Sequence, residues 1–507
     1  MINNTLGTSN KFNEISNFVL SKIRELSKDD TVDLRTNIFD YQISSVNILK
    51  LLGAIEDTYD INIEFYDYIN NSDIFSFCQV IYEKYQLLDN KNEHNTTHLL
   101  KDEENAYKEF DLTNVQIAYL SGRDEQFELG GTSTHAFLEF EAELDLIKFN
   151  KSLQAVIERQ DMLRAVFLPN GKQKILKHVP NYNIAIQDVS HLKQTVQKEK
   201  VLEERKVINE RIFDPYHWPL FELKALKIGD NTYRILFGID MLIADGASIQ
   251  LLFKEISEFY NGKVPAPLEV SYRDYMIAYK KLKDTYKYQD DKEYWLNKLK
   301  DFPSPPPLPL KVGLECIKKP TFKRKKKIVG KRNWNQFLNL CSQRNIRPSI
   351  LLLAIYSKVL SKWSNQQNIA LNTTLFKRRP FHKEINNIIG DFTEIMIFDV
   401  CFNNLNHFWE EVRIIQDNFF KCLSHNDFDG VEFTREYCDF NDIDRRKAVF
   451  PIVFTSMLFE NELNHLDSLG VFIESISQTS QVYLDHQVIE LNDGIMLSWD
   501  YVSEAFE

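Results

Sequence analysis

The sequence predicts an α-helical module followed by a larger α+β region in two lobes. Three observations point there: helical apolar spacing within residues 12–86, a polar Asn-rich break at 88–105, and mixed strand and helix patterning from Phe110 onward. The chain has 507 residues, of which 43% are hydrophobic and 13% aromatic, with only 16 glycines. At roughly 100–200 residues per domain, that length calls for several cores, and the composition is that of a globular protein.

In the first module, "FNEISNFVLSKIREL" sets Phe12, Ile15, Phe18, Val19 and Ile23 on one face, and "SVNILKLLGAIEDTY" does the same with Val46, Leu49, Leu52 and Ile55. These stripes predict a small helical bundle. Residues 1–90 hold 14 acidic against 7 basic side chains, so most of the chain's net charge of −12 lies in this unit. The stretch "LDNKNEHNTTHLLKDEEN" then reads as a solvated linker. "FPSPPPLPL", with five prolines in nine residues, excludes regular helix or central strand and divides the larger region. The predicted boundaries are 1–88, a linker at 89–106, and 107–507 with lobes of about 107–285 and 286–507.

The negative charge argues against general nucleic-acid binding. The basic run "KKPTFKRKKKIVGKR", residues 318–332, reads as a solvated edge or linker, with a docking patch for an acidic partner as the alternative. Six scattered cysteines without CxxC spacing favour neither a zinc site nor a disulfide framework, and no metal is expected. The N-terminus lacks the order of a signal peptide, and no apolar run is long enough to span a bilayer. A reducing cytoplasm is the expected compartment.

Three local patterns carry chemistry. Ser44 and Ser45 precede an amphipathic helix, where a serine serves as an N-cap. In "FGIDMLIADGASIQLLF", Asp240 ends a strand and Asp245 lies in a strand-to-helix loop, with Ser248 expected as the helix N-cap. Unpaired buried carboxylates are very costly, so both are expected to be held by hydrogen bonds and an arginine. Finally, "VYLDHQVIELNDGIMLSWDYV" predicts a hairpin turning at Asn492-Asp493-Gly494, with Tyr483, Asp485 and Gln487 on one strand face.

The first module resembles the carrier proteins of thioester assembly lines, in which a Gly-x-Asp-Ser-Leu segment opens the second helix. The alignment implies 4′-phosphopantetheine on Ser45, although Gln42 and Ser44 stand where that pattern has Gly and Asp. The larger region resembles the heterocyclization relatives of the condensation domains of nonribosomal peptide synthetases. Their Asp-x-x-x-x-Asp-x-x-Ser is present as Asp240, Asp245 and Ser248, and Met241 stands where condensation enzymes have a histidine. "FDLTNVQIAYLSGR", "MLRAVFLPNGKQKIL" (preceded by Gln160 where a histidine is usual), "PPPLPL", "IIGDFTEIMIF", "PIVFTSMLF" and "SQTSQVYLDHQVIE" follow in that family's order.

The resemblance implies a four-helix carrier bundle and two chloramphenicol-acetyltransferase-like lobes, a V-shaped pseudo-dimer around a central tunnel. It implies amide formation with carrier-bound Cys, Ser or Thr, then cyclodehydration to a thiazoline or oxazoline. Condensation without cyclization, or a silent docking platform, are the alternatives. Proton transfer falls to Asp485 and Thr455, and a bridge from Asp245 to Arg378 is expected to join the lobes. The implied partners are a downstream carrier bearing the nucleophilic residue, an adenylation enzyme or domain, and a phosphopantetheinyl transferase. With its carrier so near Met1, the chain reads as an initiating unit loaded in trans.

Overall fold

The computed structural model describes residues 4–37, 45–59, 61, 63, 68, 73–88, 99, 101–402, 407–458 and 469–507. Three helices of the first module are described: Asn4–Ser27, Ser45–Tyr59 and Ile74–Leu88. Ile15, Val19 and Ile23 of the first meet Ile48, Leu52 and Ile55 of the second and Phe77 and Ile81 of the third, all buried. Of the predicted stripe, Ile15, Val19, Ile23, Leu52 and Ile55 are buried and Phe12 and Phe18 pack partly buried against the same core, while the side chains of Val46 and Leu49 lie outside what is described. Residues 38–44, including Ser44 and Gln42, and the side chain of Ser45 lie outside what is described.

The larger region is α+β. Its first sheet has five strands in the order Val471–Gln478, His135–Glu143, Thr232–Asp240, Phe221–Lys227, Ala185–Asp188. Helices Leu146–Arg159 and Gly246–Tyr260 cover it, with Phe253 set edge-on to Phe140 and Phe237. The second sheet has six strands in the order Thr393–Cys401, Asn368–Phe376, Ile452–Met457, Leu484–Leu491, Gly494–Val502, Phe322–Gly330.

The two halves are not cut cleanly at the position that the prolines suggest. Strand Val471–Gln478 runs antiparallel along His135–Glu143 and so completes the first sheet from the far end of the chain. Its pairing gives that strand a backbone partner it would otherwise lack at the sheet edge. Ile385, Ile388, Ile389 and Phe392 likewise bury themselves in the core of the first half. The end of the expected linker is anchored too: Arg273 binds Asp102 at 3.0 Å, and the Asp102 amide donates to Asp274. Among the described residues, no helix is long and apolar enough to cross a membrane.

One glycine marks how tightly the halves meet. A Cβ on Gly390 would lie 2.2 Å from the Tyr272 ring, which is fully buried. Gly390→Ala is therefore expected to destabilise the larger region by about 1–3 kcal/mol, the usual cost of overpacking, read as a lowered thermal transition.

Candidate active site

Strand Thr232–Asp240 delivers Asp240 to the end of the first sheet, fully buried. One carboxylate oxygen accepts from Arg123 and the other from the Leu242 amide at 3.0 Å. Burial pushes the Asp240 carboxyl up, and the Arg123 guanidinium counters it.

Asp245 caps helix Gly246–Tyr260, accepting from the Ser248 amide at 2.6 Å. The helix thus begins earlier than expected, with Asp245 and not Ser248 as its N-cap: a carboxylate in extended backbone satisfies the orphan N–H as well as a hydroxyl does. Freed of that task, the Ser248 hydroxyl donates to the Gly390 carbonyl at 2.7 Å. Arg378 reaches Asp245 at 3.2 Å and Ser248 at 2.8 Å, while its other amino group donates to the carbonyls of Ile385 and Ile388. Aspartate and arginine come from the two halves of the region, so the pair clamps them together.

Between the sheets lies a cavity of about 770 Å³. Asp240, Asp245, Ser248 and Arg378 do not line it; Asp485, Thr455, Gln487, Thr374, Asn372 and Arg324 do. Strand Ile452–Met457 lies between Asn368–Phe376 and Leu484–Leu491, parallel to both, which sets Thr455 beside Thr374 and Gln487. The Thr455 hydroxyl donates to Asp485 at 3.0 Å and contacts the Thr374 hydroxyl at 3.1 Å. The second Asp485 oxygen accepts from the Gln487 amide at 2.6 Å. Burial, reinforced by Asp500 opposite, pushes the Asp485 carboxyl up to about 6, against the pull of Gln487, Thr455 and Arg324. Such a group both takes and gives a proton near neutral pH.

The hairpin turns at Asn492-Asp493, with Leu491 opposite Gly494. Alternation along its first strand sends Asp485 and Gln487 into the cavity and His486 away from it, against Tyr356, Phe454 and Trp499. Tyr483 does not share the cavity face. Its amide and that of Leu484 both go to the Pro451 carbonyl, so regular pairing starts only after it, and its ring packs on Phe506.

Residues 110–507 match the condensation domain family, and residues 17–81 match the phosphopantetheine attachment site. The chain belongs to the condensation-domain family. It is 36% identical to bacitracin synthase 1 of Bacillus licheniformis over 99% of its own length and 10% of that protein's. It is 27% identical to the phenyloxazoline synthase MbtB of Mycobacterium sp. (strain MCS), over 78% of this chain and 34% of that one. The EpoB cyclization-docking bidomain from Sorangium cellulosum superposes with a TM-score of 0.77 at 28% identity, covering 85% of this chain and 87% of that chain. The chain thus spans a tenth to about a third of these two curated relatives.

A carrier followed by a cyclization-type condensation domain, with the chloramphenicol-acetyltransferase-like fold, is therefore what the two units are. In the carrier, Ser45 is the first residue of a 15-residue helix. A Cβ on Gly53 of the same helix would lie 2.5 Å from Pro380, so the carrier rests against the condensation domain just beyond Arg378. Sequence patterning missed Arg324, Asp500, Thr374 and Asn372. Arg324 was hidden in a run of cations, and the cross-strand register that gathers them is not written in local spacing.

Proposed function

We propose that this didomain forms an amide between an acyl group carried on Ser45 and a Cys, Ser or Thr on a downstream carrier, then closes that residue's side chain into a thiazoline or oxazoline. The observation that carries this reading is the Asp485–Thr455 pair, buried at 8% and 6% exposure yet facing the cavity, with its carboxyl near neutrality. The relatives' names agree: one makes a phenyloxazoline, and another is a cyclization bidomain.

The arm supplies a thioester and reach, and tethering both reactants turns the first step into an effectively unimolecular one. In the second step the side-chain thiol or hydroxyl attacks the new amide carbon, and Asp485 takes its proton. The C–X bond forms as the carbonyl π bond breaks, and Asp485 passes the proton it took to the resulting alkoxide, which becomes a hydroxyl. Asp485 then takes the ring nitrogen's proton and delivers it to that hydroxyl as the C–O bond breaks, so that one water departs as the C=N bond forms. Thr455 holds one oxygen of Asp485 and lies within reach to pass the proton. Asp245 and Arg378 keep the walls in register. The adenylation enzyme that loads the arm, the downstream carrier and a cytoplasmic setting belong to the same reading.

The test is to load the carrier with an aminoacyl-phosphopantetheine, add a cysteinyl carrier and weigh the product. Transfer with loss of one water is expected. Amide without that loss would leave condensation alone, and no transfer would leave a docking platform. Ser45→Ala is expected to take up no pantetheine mass; uptake by Ser45→Ala but not by Ser44→Ala would move the attachment point.

A further inference from the structure

One cation of the basic run turns away from solvent. Strand Phe322–Gly330 is the outermost of the six, and along most of it Lys323, Lys325 and Lys327 are exposed. Arg324 turns inward, with a side chain only 6% exposed. The register sets Arg324 opposite Asp500, and Asp500 opposite Asp485, one row across three neighbouring strands. Two carboxylates directly opposite one another are destabilising unless one is neutralised.

Arg324 does that. Its guanidinium takes both Asp500 oxygens, each at 2.5 Å, and the Ser477 amide and hydroxyl add 3.0 Å contacts to one of them. The same guanidinium donates to the Gln487 side-chain oxygen at 2.6 Å and to the Ser475 hydroxyl at 2.6 Å. With its oxygen held by arginine, the Gln487 amide can only aim its NH₂ at Asp485 and Ser477, both at 2.6 Å. Bidentate pairing of this kind fixes direction as well as charge.

We propose that Arg324 and Asp500 are positioning residues for ring formation: the pair sets the charge that Asp485 experiences and, through Gln487, the orientation of its carboxylate. This rests on the reading of Asp485 as the proton-transferring group. Other charged groups, Arg435, Arg445, Lys447, Glu490 and Asp493, line the same cavity. Glu474 acts on Arg324 and is itself held by Lys326 at 2.8 Å, while Tyr119 and Tyr356 lie close enough to feel Asp485 and are kept neutral by burial. Asp500 pushes Asp485 up and Arg324 pulls it down. Removing one partner therefore moves Asp485 in a direction fixed by which partner remains.

The experiment measures the rate of ring formation and of amide formation across pH 5–9, using the loaded didomain and a cysteinyl carrier. The ring step is expected to rise with pH as Asp485 ionises. Arg324→Gln leaves Asp500 uncompensated and is expected to move that rise up by roughly one pH unit, the scale of a nearby charge. Asp500→Asn leaves the guanidinium and moves it down. Arg324→Lys keeps the charge and is expected to bring the midpoint most of the way back. If Arg324→Gln does not fold, the neutral pair Arg324→Gln/Asp500→Asn carries the test: Asp500 pushes Asp485 up more than Arg324 pulls it down, so a lowered midpoint with rings slowed and amide formation kept supports the proposal, and an unmoved midpoint or rings at the parent rate overturn it.

Slower rings with unmoved midpoints in both single variants would also overturn it, leaving the pair a structural bridge. The underlying reading fails separately: Asp485→Asn that still forms rings at the parent rate would remove Asp485 from the chemistry whatever the pair does.

Discussion

In Asp485→Asn, ring formation is expected to fall by about 10²- to 10⁴-fold, the span of one general acid–base group, while amide formation continues. The variant keeps the size of the side chain but can neither store nor release a proton. It also disturbs the local hydrogen bonds. Both carboxylate oxygens now accept, one from Thr455 and one from Gln487, and a carboxamide must turn an NH₂ toward one of those donors. The product should be weighed with and without the loss of one water, so that the two steps are scored in one sample.

The pH dependence follows from the same site. Burial holds Asp485 at about 6, above the ordinary carboxylate range, so the parent's ring step is expected to gain its base between pH 5 and 7 and the variant's to show no such limb. Amide formation is expected to lack it in both. A ring fraction unchanged by Asp485→Asn, in a protein with the parent's thermal transition, would end the assignment.

How much of this was legible in the sequence depends on the range of the interaction. The carrier's helical stripe and the hairpin around Asn492 and Asp493 are local periodicities, and the hairpin and the described part of the stripe appear as the spacing predicts. The alternation that turns Asp485 and Gln487 inward and His486 outward is local too. Tyr483 broke the pattern because alternation holds only while pairing is regular, and its amide shares the Pro451 carbonyl with Leu484.

What could not be read was register. Nothing within the basic run distinguishes Arg324 from its neighbours; only its place opposite Asp500, more than 170 residues away, does so. The same holds for strand Val471–Gln478, whose polar-apolar pattern says nothing of which sheet it will join. The partners of the opening motif were legible in kind but not in number. Arginine was expected, and two separate arginines serve, Arg123 for Asp240 and Arg378 for Asp245.

That second pair gives the largest expected effect on stability. Asp245 is fully buried and holds five groups in place: the Ser248 amide, Arg378, the Phe392 amide and, through its own backbone, the Gly390 carbonyl and the Ile249 amide. Arg378 in turn stacks on Phe392 at 4.0 Å and ties down the carbonyls of Ile385 and Ile388. Arg378→Met would leave a buried carboxylate without its counter-charge, and Asp245→Ala a buried guanidinium and an uncapped helix. Each is expected to cost about 3–5 kcal/mol, the usual penalty for breaking a buried pair from one side. Asp245→Asn keeps an acceptor for the Ser248 amide and should cost less. Because the clamp holds both halves around the cavity, these variants should lower amide and ring formation together, where Asp485→Asn separates them. The decisive measurement pairs urea or thermal denaturation with the two product yields. An Asp245→Ala protein as stable as the parent that loses rings but not amide would make Asp245 a participant in the chemistry and not a clamp.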